Sequence, residues 1–128
     1  PEVTLGTICG AGGTQRLPRL IGETRAKEMI FTGREITAET AREWGLVNGV
    51  FTAGSLLEET LNLAEEIARN SPYAVTCAKR SVNGGREMLL EEALEWERSL
   101  FGECGESRDR KEGMMAFLEK RPRVFTGE

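Results

Sequence analysis

The sequence predicts a mainly α fold with one or two short strands. Three observations carry that expectation. Apolar residues recur at the helical period along several segments, helix caps and glycine stops divide the chain at short intervals, and only residues 2–5 and 46–51 have a strand-like composition. Six or seven helices account for most of the chain. No internal repeat, low-complexity stretch or convincing linker appears, so the chain reads as a single unit over residues 1–128.

Residues 2–5 are partly β-branched and end at Gly6, which suits a short strand or an extended approach. Gly10, Gly12 and Gly13 make a flexible turn. Residues 14–21 read as a helix stopped by Gly22. Pro18 fits it poorly unless it sits in the first turn, where a missing N–H does little harm. Residues 23–32 form a second helix, stopped by Gly33. Thr37 can cap a third over residues 38–44, because its hydroxyl can accept from an unpaired first-turn N–H, and Gly45 follows at the left-handed end position. The segment "LVNGVF" (46–51) is the second strand-like piece, interrupted at Asn48-Gly49.

Ser55 and Glu58 have the spacing of a capping box and open a long helix to about Arg69, with Leu57, Leu61, Ala64 and Ala68 along one face. Ser71-Pro72 is an N-cap followed by proline at the first helical position, and that helix runs to about Asn83 before Gly84-Gly85. A further helix covers residues 90–101, with a stripe of Ala93, Leu94, Glu97, Leu100 and Phe101 that is apolar except at Glu97. Ser107 caps a last helix with Met114, Phe117 and Leu118 on one face, ended by Pro122.

Composition narrows the chemistry. At 128 residues the chain is about one domain long and can bury a core. Apolar residues make up 39% and charged residues 30%, the balance of a folded, soluble protein. The net charge of −4 argues against general nucleic-acid binding, and no apolar run is long enough to cross a bilayer. Cys9, Cys77 and Cys104 are odd in number, with no CxxC pair, which points to free thiols in a reducing compartment. There is no histidine, which removes His-based catalysis, zinc sites and haem ligation, and no metal site is expected. Acid–base chemistry must come from carboxylates, Lys, Tyr or Cys.

The opening string, "PEVTLGTICGAGGTQRLPRLIG", holds the densest pattern. A dinucleotide fingerprint needs G-x-G-x-x-G, and Gln15 stands where the third glycine belongs; a P-loop needs a GK pair, and none occurs. Two readings stay open on physical grounds: a glycine turn presenting backbone N–H groups at a helix start, or an ordinary tight turn.

The whole string closely resembles the enoyl-CoA hydratase/isomerase (crotonase) family, whose pattern here is roughly PE-x-x-L-G-x-x-P-G-x-G-G-T-Q-R-L-x-R-x-x-G. The resemblance continues through "AKEMIFTGREITAETAREWGLVNGVF", "LAEEIARNSPYAVTCAKRSVN" and "RKEGMMAFLEKRPRVFTG", in order and without large gaps. It implies the C-terminal half of a subunit of the α/β crotonase fold. Residues 1–51 would be the end of the core, carrying the active-site motif, and 52–128 the helical oligomerisation region. The N-terminal spiral of ββα turns would lie upstream of Pro1.

The resemblance also implies roles. Glu2 matches a glutamate that acts as general acid/base when water adds across the double bond of a trans-2-enoyl thioester. Gly10 matches the glycine whose N–H helps hold the catalytic water. Cys9 departs from the family's usual proline and is read as a packing substitution. Phe117 and Lys120 match positions from which a neighbouring subunit contacts the CoA nucleotide; alternatively, Phe117 belongs to the helix's apolar stripe and Lys120 complements the helix dipole. The second glutamate and the oxyanion donors would lie upstream, so this chain alone is expected to be inactive. No cofactor is implied beyond the coenzyme A of the substrate. The implied partners are an acyl-CoA thioester and further copies of the chain, as a trimer or a swapped assembly. The expected compartment is the bacterial cytoplasm, with the mitochondrial matrix as the alternative. An isomerase and a non-catalytic oligomerisation or acyl-CoA-binding module are the competing functions.

Overall fold

The computed structural model describes residues 1–128 and contains helices and no strands. The chain divides into two compact units, residues 1–57 and 58–128. The sequence places an internal division at 51/52 within one unit; the structural boundary falls at 57/58, within the first turn of a helix, where no proline- or glycine-rich linker announces it.

The first unit begins with a 3-10 turn at Glu2–Leu5, followed by α1 (Gly13–Ile21), α2 (Glu23–Thr32) and α3 (Ala38–Glu43). The expected strand at residues 2–5 is therefore replaced. The Thr4 N–H donates to the Pro1 carbonyl at 2.9 Å and the Thr7 N–H returns to the Glu2 carbonyl at 3.1 Å, so the backbone satisfies itself locally where no neighbouring strand is present. α1 runs straight through Pro18, its sixth residue. The ring removes one N–H, and only the Thr14 carbonyl loses its usual helical donor. Gly22 forms a one-residue corner between α1 and α2, with Ile21 and Ala26 buried beside it.

Gly33 ends α2 with a φ of 63°. It does more than stop a helix. A Cβ placed there would lie 3.1 Å from Thr4 Cγ2 and 3.3 Å from Pro1 Cα. The 3-10 turn thus sits against the end of α2, in space that only glycine leaves open. Thr37 caps α3 as expected, its Oγ1 accepting from the Thr40 N–H at 3.1 Å. The second expected strand is also absent. Residues 46–48 bend, and the Phe51 ring covers Gly49 so closely that a Cβ there would fall 2.6 Å from it.

The second unit contains most of α4 (Leu56–Ala68), then α5 (Pro72–Gly85), α6 (Leu90–Gly105), α7 (Arg108–Glu119) and a tail with no regular structure. At the start of α4 the Ser55 hydroxyl pairs with Thr52 Oγ1 at 2.8 Å, and the Thr52 carbonyl accepts from the Leu56 N–H at 2.9 Å. α5 keeps its expected cap, Ser71 Oγ accepting from the Ala74 N–H at 3.0 Å. α6 continues a turn beyond its expected end at Phe101. α5 and α6 pack as an antiparallel pair. Gly85 faces Ala93, Gly84 faces Trp96, and at the other end Glu103 accepts from Tyr73 at 3.2 Å and Arg80 at 2.5 Å.

The tail folds back on the starts of α5 and α7. Asp109, buried in the first turn of α7, accepts from Ser71 Oγ at 2.6 Å, the Thr126 N–H at 2.8 Å and the Gly127 N–H at 3.1 Å. Glu112 accepts from the Val124 N–H at 2.9 Å and holds the Arg121 guanidinium with both oxygens, at 2.7 and 2.8 Å. Burial pushes the Asp109 carboxyl up, but the hydrogen bonds from Ser71, Thr126 and Gly127 outweigh it and leave the pKa below its ordinary value. The Arg121 hydrogen bonds, helped by the Val124 N–H, hold Glu112 down to about 2.

The apolar stripes are largely open. Leu57, Leu61, Leu94, Phe101, Met114, Phe117 and Leu118 are exposed, while Leu100, Cys77 and Ala116 are buried. No helix is long and apolar enough to cross a membrane.

Two expectations follow. Glu112 has a folded pKa of about 2 against an ordinary 4.5. Its stabilising effect is complete above pH 4.5 and is lost as pH falls towards 2, because the unfolded state then binds the extra proton. Protection of the Val124 amide, taken relative to its intrinsic exchange rate, should fall through that window, and Glu112→Gln should flatten the dependence while lowering protection at neutral pH. For Gly33, substitution by alanine should cost about 1–2 kcal/mol from the left-handed backbone alone. Gly45→Ala carries the same backbone penalty with open space around it. Only Gly33→Ala should also move the NMR signals of Glu2 and Thr4.

Candidate functional site

Glu2 opens the 3-10 turn that Gly33 seats. Its Oε2 accepts a hydrogen bond from the Cys9 thiol at 3.3 Å and lies 3.2 Å from the Pro1 nitrogen. Its pKa is held below the ordinary carboxylate value, first by its own backbone N–H and then by the Cys9 thiol, against an opposing effect of burial. The bond works in reverse on Cys9, whose thiol is pushed up by Glu2 first and by burial second. A thiol kept protonated is a donor rather than a nucleophile.

Cys9 is fixed from behind. A Cβ on Gly13 would come within 3.0 Å of the Cys9 Cβ, so the missing side chain at 13 makes room for the residue that touches Glu2. Gly10 follows at once, beside open space where a Cβ would project. Gly12 then caps α1 with φ 90°, its carbonyl accepting from the Gln15 N–H at 3.1 Å and the Arg16 N–H at 2.9 Å. The Arg16 guanidinium folds over Gly12 and donates to the Ala11 carbonyl. Arg19 donates to the Gln15 carbonyl at 2.7 Å. These two arginines cap carbonyls of the turn and of α1. The string from Glu2 to Arg16 is therefore one interlocked loop, in which the carboxylate is held beside the residue that precedes Gly10.

Phe117 and Lys120 belong to the second unit. Phe117 lies on α7 with its ring 80% exposed, so it is not part of a packed stripe within this chain. Lys120 takes a left-handed conformation, φ 53°, as the C-cap of α7, and its N–H donates to the Phe117 carbonyl at 3.3 Å. Both side chains are open to solvent. Gly33 and the thiol of Cys9 are the positioning features that sequence reading did not assign. Gly33 was visible only as a helix stop, and the Cys9–Glu2 bond depends on a turn that composition described as extended. No group of three or more His, Cys, Asp or Glu side chains comes together to hold a metal ion.

Comparison with known proteins places this geometry. The profile of the family described as "Enoyl-CoA hydratase/isomerase" matches residues 1–128. The mitochondrial enoyl-CoA hydratase of Pongo abelii is 47% identical over 125 residues, covering 98% of this chain and 43% of that protein. The 2,3-dehydroadipyl-CoA hydratase of Escherichia coli is 45% identical over 127 residues, covering 99% of this chain and 50% of its own length. The crystal structure of an enoyl-CoA hydratase from Bacillus anthracis superposes with a TM-score of 0.94 at 47% identity, over 99% of this chain and 49% of that one. The chain spans about half the length of the relatives it matches, and its all-helical architecture is that of the C-terminal part of the crotonase fold. On the family match along its whole length, the chain belongs to the enoyl-CoA hydratase/isomerase family.

Proposed function

We propose that this chain supplies one acid/base carboxylate and the water-holding glycine turn of an enzyme that hydrates trans-2-enoyl-CoA thioesters. The observation that carries the reading is the Glu2 carboxylate, held by Cys9 at the entrance to the Gly10–Gly13 turn. Relatives bearing hydratase names support the reaction class.

Hydration places a hydroxyl on the β-carbon and a proton on the α-carbon. The hydrogen bond from the Cys9 thiol favours the ionised form of Glu2, and an ionised carboxylate is the form that accepts a proton from water. The Gly10 N–H, with no side chain to keep a small molecule away, holds that water. Electrons pushed towards the thioester carbonyl need oxyanion donors, which the family pattern assigns upstream of Pro1 together with a second glutamate. Loss of a single oxyanion donor typically costs ~10²–10³-fold in rate. The isolated 128-residue chain is therefore proposed to be inactive, and the reaction to belong to the complete subunit.

Phe117 and Lys120 are proposed to serve a neighbouring copy, the ring against adenine and the ammonium against phosphate. Their exposure favours this over the stripe-and-dipole alternative. The open faces of α4, α6 and α7 favour self-association, as a trimer or a swapped assembly, since large exposed apolar patches mark interfaces. Isomerisation of the same thioesters is the nearest competing chemistry, and one relative, from Mycosarcoma maydis, is named for both activities.

In the complete subunit, loss of the conjugated-thioester absorbance of crotonyl-CoA should be fast, and Glu2→Gln should slow it by about 10²–10⁴-fold with little change in KM. Retention of full activity by Glu2→Gln would remove the assignment. The isolated chain should show no turnover and should scatter light as an oligomer at low micromolar concentration.

A further inference from the structure

Two of the three cysteines take no part in the site around Glu2, yet they lie together. Cys77 is in the middle of α5 and is buried; Cys104 is near the end of α6 and is half-buried. The antiparallel register brings them opposite one another. It runs from Gly85 facing Ala93, through Gly84 facing Trp96, to Tyr73 and Arg80 both bonded to Glu103. Tyr73 and Arg80 stand about one turn on either side of Cys77, and Glu103 is the immediate neighbour of Cys104. The same carboxylate therefore clamps the helix face that carries one thiol onto the face that carries the other.

Both cysteines line one groove of about 310 Å³ between the helices, with Ala74, Ala78, Leu100 and Phe101 among its other walls. The two alanines leave room for a sulfur to move by a rotamer change. Burial first, and then the charges of Glu103 and Cys104, push the Cys77 thiol up, so Cys77 is kept as a resting thiol while Cys104 is the one solvent reaches.

We propose that Cys77 and Cys104 form a redox-active dithiol pair, closed into an interhelical disulfide by a low-molecular-weight disulfide such as glutathione disulfide. The Cys104 thiolate, having given its proton to water, attacks one glutathione sulfur; the S–S bond of the oxidant breaks and the first glutathione leaves as a thiolate. Cys77 then gives up its proton and attacks the Cys104 sulfur of the mixed disulfide, expelling the second glutathione. Two protein thiols are oxidised and one external disulfide is reduced to two thiols. The second step is intramolecular, which compensates for the raised pKa of Cys77. The product ties α5 to α6 across the groove and narrows its apolar mouth. The proposal is independent of the hydratase reading.

The test is a thiol map of the purified protein. After incubation with glutathione disulfide and blocking of free thiols with N-ethylmaleimide, trypsin should release residues 70–79 linked to residues 99–108 through a disulfide that dithiothreitol cleaves. Cys9 should not appear in that linked species. In Cys104→Ser, the half-buried and more tolerant position, Cys77 should stay free and be recovered alkylated once the protein is opened. Recovery of both Cys77 and Cys104 as alkylated thiols from the wild-type protein would overturn the proposal. So would glutathione on each without a link, or a link from either to Cys9. Because the wild-type map decides by itself, a variant that fails to fold does not affect the outcome.

Discussion

The second unit depends on one buried carboxylate. Asp109 stands in the first turn of α7, where a negative charge is favoured by the unpaired N–H groups of the helix start. Its oxygens do not cap α7, because Ser107 already accepts from the Arg110 N–H at 3.0 Å. They reach outwards instead, to the cap residue of α5 and to two amides of the returning tail. Ser71 thereby uses its hydroxyl twice: the oxygen accepts from Ala74 and the hydrogen goes to Asp109. Two helix starts and the last residues of the chain meet at one charge. A buried ionised group is tolerable only when its lone pairs are satisfied, and here each oxygen has donors. Removing the carboxylate would leave the Ser71 hydroxyl hydrogen and two tail amides without their acceptor at the same time.

The neighbouring contacts extend this clamp along the tail. Glu112, one turn after Asp109, binds Val124 and the Arg121 guanidinium, while Arg123 donates to Asn70 at 3.1 Å. The Phe125 ring lies against Gly113, and Gly127 against Pro72. A segment with no internal hydrogen-bond ladder is thus ordered by side chains of the helices it crosses. The first unit solves a comparable problem with glycines. The Glu2 carboxylate is on a single 3-10 turn, too short to hold itself, and Gly33 and Gly13 provide the close approaches that hold the turn and its Cys9 partner.

What could be read from the sequence divides along the same physical line. Helix ends were legible because a cap is a local event: Thr37, Ser71, Ser107 and Gly33 each act within a few residues of their own position. The strands expected at residues 2–5 and 46–51 were not, because a strand exists only with a partner. Without one, Thr4 and Thr7 close a turn and Phe51 folds over Gly49. Asp109 was invisible for a related reason: as a single acidic residue near a helix start it looks like any dipole-complementing side chain, and its partners lie 38 residues before and 17 residues after it. The motif residues Glu2 and Gly10 were singled out by family resemblance alone. The contact that gives Glu2 its setting was not, since Cys9 stands where the resemblance offers only a departure.

This division also explains why helices with clear apolar stripes have so little core. The stripe of α4 has the right period, yet none of its residues is buried, and on α6 Leu100 is covered while the adjacent Phe101 is 77% exposed. Burying a large aliphatic or aromatic side chain gains about 1.5–3 kcal/mol, so a chain with these faces open forgoes a large part of its available stabilisation. The polar clamps compensate only in part, because hydrogen bonds exchanged with water contribute about 0.5–1.5 kcal/mol net. They do something the apolar faces cannot: they are directional, and they fix where each helix start and the tail must lie. Shape in the second unit is therefore specified from within by Asp109, Glu112 and Glu103. The remaining apolar surfaces are ones that these same contacts hold outwards.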